Sequence, residues 1–223
     1  MFMLMKFFLI LFITLIITAP ISAKNIYCDA DTDCYYIPEK VLNSDKPVPA
    51  LLYLSCTGAT KSQVDSIKFI GDSLNWIIFS CHATRNHRDV LANDRDIMKT
   101  YQKAIKNYNI DKTRVFIYGF SGQGVQALME MFIHPDIFRG TVTQCAHAQA
   151  LQLVQWSTLK KHLAYLVSRE QDWNLDANYL IDKEFKKHEV RDTIVITPGE
   201  HNIGDAKELF RAVKWLKKNS QQK

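Results

Sequence analysis

The chain has 223 residues, with 28 lysines and arginines against 23 aspartates and glutamates, a formal net charge of +5, and 47% hydrophobic residues. That apolar share excludes a disordered chain. The positive balance comes from scattered lysines and a tail around Lys214, Lys217, Lys218 and Lys223, without interleaved aromatics, which speaks for a solvated helix face and against nucleic-acid binding.

The chain opens with one early cation, Lys6, then an apolar stretch from Phe7 to Thr18, then Pro20-Ile21-Ser22-Ala23 before the polarity changes at Lys24. This is the design of a secretory signal peptide over residues 1–23, cut after Ala23, and it implies a secreted or periplasmic protein. An uncleaved anchor is the other reading; the run is short for a spanning helix, which wants about 20 apolar residues. The remaining stretch, residues 24–223, holds no Ser/Gly/Pro-rich linker and reads as a single domain. Five cysteines in an exported chain point to disulfides and leave at least one thiol unpaired. Cys28 and Cys34 bracket a turn-like polar segment and form the natural pair; a second bridge between Cys56 and Cys81 is geometrically demanding. No paired cysteine spacing suggests a metal site.

The segment from Ile26 to Ile37 reads as a short antiparallel addition. From residue 48 onward, apolar runs alternate with amphipathic stretches. The runs are Val48 to Cys56, Trp76 to Cys81, Arg114 to Gly119, Thr141 to Cys145, His162 to Ser168 and Thr193 to Pro198. Helices are predicted near Lys61 to Asn75, Asp94 to Asn107, Gly122 to His134, Gln149 to Lys160, Leu175 to Lys187 and Asp205 to Asn219. Continuous apolar strands between helices predict an α/β fold with a mostly parallel sheet of about six core strands. Only about 17 residues separate Cys145 from the next strand, so no large lid is inserted there.

The third run leads directly into Gly119-Phe120-Ser121-Gly122-Gln123-Gly124. A serine between glycines at a strand-to-helix turn has its hydroxyl exposed at the carboxyl edge of the sheet, where a nucleophile would stand; alone, it is also read as a helix cap. A serine nucleophile needs a histidine base and an acid to orient it. Asp172 follows the fifth run and His201 follows the sixth, so Ser, Asp and His appear in order at three strand ends. Glu170 is a substitute acid, and His134, His162 and His188 are read as surface groups. The oxyanion donors expected are the N–H groups of Gly122 and of Thr57, with Gly58 next. The polar loop from His82 to Asp89 supplies Arg85 and His87, which could bind an acidic or sugar-bearing part of a substrate or simply be solvated. His147, Trp156 and Trp173 lie on segments that could wall the pocket.

On Gly119-Phe120-Ser121, Asp172 and His201, residues 48 to 219 resemble the α/β-hydrolases, in particular the small esterases with dienelactone-hydrolase-like and prolyl-oligopeptidase-like catalytic domains. The resemblance implies a Ser-Asp-His triad, an acyl-enzyme, no cofactor, and a small-molecule or polymer-borne ester, or a peptide or amide, as substrate. Members usually carry a small residue two places after the serine. This chain has Gln123 there, a departure that leaves a catalytically inactive binding protein as the alternative. A nucleotide site built on the glycines at 119, 122 and 124 fails on spacing.

Overall fold

The computed structural model describes residues 26–28, 33–42 and 44–221. The expected leader at residues 1–23 lies outside the described residues. Within them runs one eight-stranded sheet: β1 (Ile26–Cys28), β2 (Cys34–Tyr36), β3 (Val48–Tyr53), β4 (Ile77–Ser80), β5 (Ile110–Phe120), β6 (Phe138–Gln144), β7 (Leu163–Arg169) and β8 (Arg191–Thr197), in the order β1-β2-β4-β3-β5-β6-β7-β8. The first two strands pair antiparallel with each other, and β2 pairs antiparallel with β4; the other six run parallel. The helices are α1 (Glu39–Leu42), α2 (Lys61–Leu74), α3 (Val90–Asn107), α4 (Gly122–Ile133), α5 (Leu175–Lys187) and α6 (Ala206–Ser220).

The sheet divides the core in two. Ala50, Leu52 and Leu54 of the β3 segment, with Val115 and Ile117 of β5, point into the layer that includes Ile97, Leu128 and Phe185 from α3, α4 and α5. Leu51, Tyr53, Phe116 and Tyr118 point the other way, onto Val64 and Ile70 of α2 and Leu209 and Leu216 of α6. Side chains alternate across a strand, so a segment buried on both faces has to be apolar at every position. Burying such a side chain stabilises the fold by about 1.5–3 kcal/mol.

Local chemistry sets the helix ends. Thr60 and Gln63 form a reciprocal capping box at the start of α2, and Asn75 closes it with φ 56°. Asp89 caps α3 through the Ala92 N–H at 2.8 Å, which starts this helix at Val90 rather than at the predicted Asp94. The helix predicted from Gln149 to Lys160 does not form; two 3₁₀ turns, Ala148–Leu153 and Trp156–Thr158, take its place. Buried Ala150 and Leu159 pin this segment to the core. Asn178 Nδ2 donates to the Ala146 carbonyl at 2.9 Å just ahead of it. Between β6 and β7 the chain thus carries no lid.

Cys28 and Cys34 form a disulfide. Cys56, Cys81 and Cys145 are free thiols, so the second bridge between Cys56 and Cys81 is absent. His162, read from sequence as a surface group, is buried at the foot of β7, with Nε2 2.9 Å from the Pro135 carbonyl. No helix among the described residues is long and apolar enough to cross a membrane.

Candidate active site

β5 ends at Phe120, and the chain reverses into α4 through Ser121, whose backbone lies at φ 54°, ψ −125°. A non-glycine residue rarely adopts positive φ, and the strain persists only where surroundings enforce it. Here Ser121 donates its N–H to the Gln144 carbonyl at 2.8 Å. The helix must also start close against the strand: a Cβ on Gly119 would meet the Gln123 carbonyl oxygen at 2.0 Å. Ser121 makes no side-chain cap bond, so the capping role is not the one it plays.

Its hydroxyl faces His201 instead. Nε2 of His201 lies 2.8 Å from Ser121 Oγ, and Nδ1 lies 2.8 Å from Asp172 Oδ1. A carboxylate can only accept, so Nδ1 carries the hydrogen and Nε2 offers its lone pair to the serine hydroxyl. Asp172 also accepts the Asn174 N–H at 2.8 Å and the Ser168 hydroxyl at 3.2 Å. Burial raises the cost of its charge, but bonds from the Cys145 thiol, the Asn174 N–H and His201 outweigh that and hold its carboxyl below the ordinary range. Glu170, the substitute acid, is exposed and is not the partner of His201.

A buried lattice holds the two loops. Arg169 is 2% exposed and donates to both carboxylate oxygens of Glu208, at 2.9 and 3.1 Å, to Thr197 Oγ1 at 2.6 Å and to Asn202 Oδ1, next to His201, at 3.0 Å. Gln144 Nε2 donates to Glu208 Oε1 at 2.7 Å. The Glu170 and Gln171 N–H groups donate to the Thr197 and Gly199 carbonyls, tying the Asp172 loop to the His201 loop. Around the imidazole, Trp173 stacks at 3.8 Å between ring centres, 18° from parallel, and the Phe120 ring lies tilted at 5.1 Å.

Of the expected oxyanion donors, Gly122 follows the serine directly. Gly58 donates its N–H to the Ser55 carbonyl at 3.2 Å, which occupies the second-choice donor and leaves Thr57. The turn carrying Thr57 is braced by Gln63, whose Nε2 donates to Ser55 Oγ at 3.1 Å. Asn86, which sequence reasoning missed, lies over the elbow; a Cβ on Gly122 would meet its Oδ1 at 2.6 Å. The departure at Gln123 is buried beside the elbow: the side chain is 1% exposed, its Nε2 reaches Asn86 Oδ1 at 3.5 Å, and its Oε1 has no hydrogen-bond partner.

A cleft of about 390 Å³ opens beside Ser121, and Arg85, His87, His147 and Asn174 are among the residues lining it. Arg85 and His87 are exposed there, whereas Arg88 is held by Asp96 at 2.6 Å. Trp173 stands outside this lining, over His201. Trp156 is not part of the pocket: it stacks on His188 and packs edge-on against Phe185. Two recesses at the amino-terminal edge of the strands, of about 320 and 710 Å³ and both lined by Arg139, Lys160 and His162, lie away from these groups. Burial pushes the thiols of Cys56 and Cys145 up, and that of Cys81 up to about 11, so each stays protonated and none rivals the serine as nucleophile.

No family model matches the sequence, and no curated protein matches it. Solved structures do match the fold. A fluorophosphonate-binding serine hydrolase of Staphylococcus aureus aligns at a TM-score of 0.66 and 16% identity, over 86% of this chain and 96% of that one. An S-formylglutathione hydrolase, also from Staphylococcus aureus, aligns at 0.64 and 16%, over 86% and 94%. A ferulic acid esterase aligns at 0.69 and 13%, over 87% and 96%. The chain therefore has the α/β-hydrolase fold that its sequence resembles.

Proposed function

We propose that this protein is a serine hydrolase that cleaves a carboxylic ester through an acyl-enzyme on Ser121. The observation that carries this is the unbroken chain Ser121, His201, Asp172, with 2.8 Å at both hydrogen bonds and a strained serine at its head. His201 takes the Ser121 proton as Oγ bonds to the substrate carbonyl carbon. The negative oxygen that results is held by the N–H groups of Gly122 and Thr57. Collapse of the tetrahedral species breaks the ester bond, and the His201 proton leaves with the alcohol. Water then gives a proton to His201 and attacks the acyl group; the acid departs and Ser121 regains its proton. Asp172 holds His201 in the tautomer required and stabilises its charged form.

The aligned solved structures are named as hydrolases and esterases, which agrees with this chemistry. Exposed Arg85 and His87, with His147, suit a substrate whose acidic or sugar-bearing part rests in the lidless cleft. The non-catalytic alternative rests on Gln123; with that residue in place the Ser121 hydroxyl still lies 2.8 Å from His201 Nε2, which favours the catalytic reading. The leader expected at residues 1–23 and the disulfide support an exported location; amino-terminal sequencing of the processed protein, expected to begin at Lys24, checks it.

Reaction with a fluorophosphonate probe tests the assignment. Wild-type protein is expected to label, and Ser121→Ala to lose labelling. Labelling that persists in Ser121→Ala removes the serine from its role.

A further inference from the structure

Toward the end of α4 away from the serine, three side chains from two helices meet. Asp94 lies in the second turn of α3, Glu130 near the end of α4, and His134 just beyond it. Glu130 and His134 are four residues apart and so share a helix face. Nε2 of His134 lies 2.6 Å from Asp94 Oδ1 and 3.8 Å from Glu130 Oε2, and the three donor atoms fall within 4.8 Å of one another.

Glu130 is fully buried, and its Oε2, aimed at this meeting point, has no hydrogen-bond partner. A buried carboxyl oxygen that accepts no hydrogen bond is left short of a partner, and a cation in place of the carboxyl proton would supply one. Its other oxygen accepts Gln126 Nε2 at 2.6 Å, the kind of outer contact that fixes a ligating carboxylate. The geometry points to a divalent transition-metal site formed by His134 Nε2, Asp94 Oδ1 and Glu130 Oε2, with zinc as the natural probe ion.

Two ligands each about 2.1 Å from a tetrahedral ion stand about 3.4 Å apart. The separations of 2.6 and 3.8 Å straddle that value, so small side-chain rotations accommodate an ion. One imidazole nitrogen with two carboxylates favours zinc and its neighbours over magnesium or calcium, which prefer all-oxygen shells. The side chains of His134 and Asp94 are 27% and 19% exposed, which leaves a route in and room for water as a further ligand.

The site is structural and reaches the cleft. Gln126 Nε2 also donates to the Val90 carbonyl, at 3.2 Å, and Gln126 Oε1 accepts from Asn93 Nδ2 at 3.4 Å. Asn93 in turn accepts the Arg85 N–H and donates to the Arg85 carbonyl. An ion at this point would clamp α3 to α4 and, through Gln126 and Asn93, steady the loop that walls the cleft.

Isothermal titration of the metal-stripped full chain with zinc chloride tests this. About one equivalent is expected to bind at this site, with affinity at least tenfold lower in His134→Ala, in Glu130→Gln and in the milder Asp94→Asn, and with no saturable binding of magnesium. Cys145, Asp172 and His201 form a second cluster of donors, so the titration is repeated in Cys145→Ser, where the site is expected to persist. Zinc binding unchanged in all three helix variants, absent from the wild type, or lost only in Cys145→Ser would overturn the assignment. Circular dichroism of each variant separates a lost ligand from a lost fold.

Discussion

Ser121 is held at positive φ by its N–H bond to the Gln144 carbonyl and by the close strand-to-helix approach at Gly119, while Asn86 packs against Gly122 beside it. If Asn86 limits what fits at position 122, Gly122→Ala pushes it aside; esterase activity is expected to fall, and Gly122→Ala with Asn86→Ala to recover part of the loss. Asp172→Asn leaves the hydrogen-bonded geometry available but favours the wrong imidazole tautomer, so kcat is expected to drop on the order of 10⁴-fold in an aryl-ester assay. Trp173 is 75% exposed yet stacks on His201, a combination that serves the imidazole more than the core. Trp173→Ala is therefore expected to lower kcat/KM by up to about tenfold, the worth of an aromatic contact, with an unchanged unfolding midpoint. The serine, aspartate and histidine were legible because each follows a strand in the right chain order. Asn86 was not, because nothing within the loop His82 to Asp89 distinguishes the residue that crosses to α4 from its neighbours.

At the scale of elements, the loops after β7 and β8 are locked by Arg169 of β7 and Glu208 of α6. Their pairing spans 39 residues of sequence and is buried. Breaking such a pair from one side leaves an uncompensated charge, so Arg169→Met is expected to cost about 3–5 kcal/mol in denaturant unfolding and to reduce activity by freeing the His201 loop. A second pair, with Asp182 buried and Asp192 partly buried, behaves in the opposite sense. Burial, and then the neighbouring Asp182 of α5, raise the carboxyl of Asp192 on β8 above its ordinary range. A carboxyl whose folded pKa exceeds its unfolded value destabilises the fold as pH rises through that interval, and the penalty disappears at low pH. Asp192→Asn is accordingly expected to raise Tm above wild type at pH 8 and to show a smaller gain at pH 5. Neither pair was readable in advance: a charged residue in a strand looks like an exposed one until the partner helix is placed. The failed helix from Gln149 to Lys160 has a similar origin. Ala150 and Leu159 are both buried in the core layer shared with α4, and two 3₁₀ turns rather than one continuous helix carry the chain between them.

For the whole molecule, the Cys28–Cys34 link joins β1 to β2 at the outer edge of the sheet, with β4 and β3 between it and the strand that carries Ser121. Its short loop limits the entropy it removes from the unfolded chain. Reduction is expected to cost about 2 kcal/mol in unfolding experiments while leaving ester hydrolysis intact.

The sequence by itself determined the layered plan. Apolar runs with no polar alternation demand a sheet buried on both faces, and amphipathic stretches between them demand covering helices. The order of strands then brought Ser121, Asp172 and His201 to one edge. Only the tertiary structure decided what leans on that edge: Asn86 against Gly122, Trp173 against His201, Arg169 against Glu208, and Asp94 beside Glu130 and His134. Periodicity is a local property, carried by neighbours a few residues apart, whereas these contacts join segments far apart in sequence and exist only once the sheet order has been set by packing.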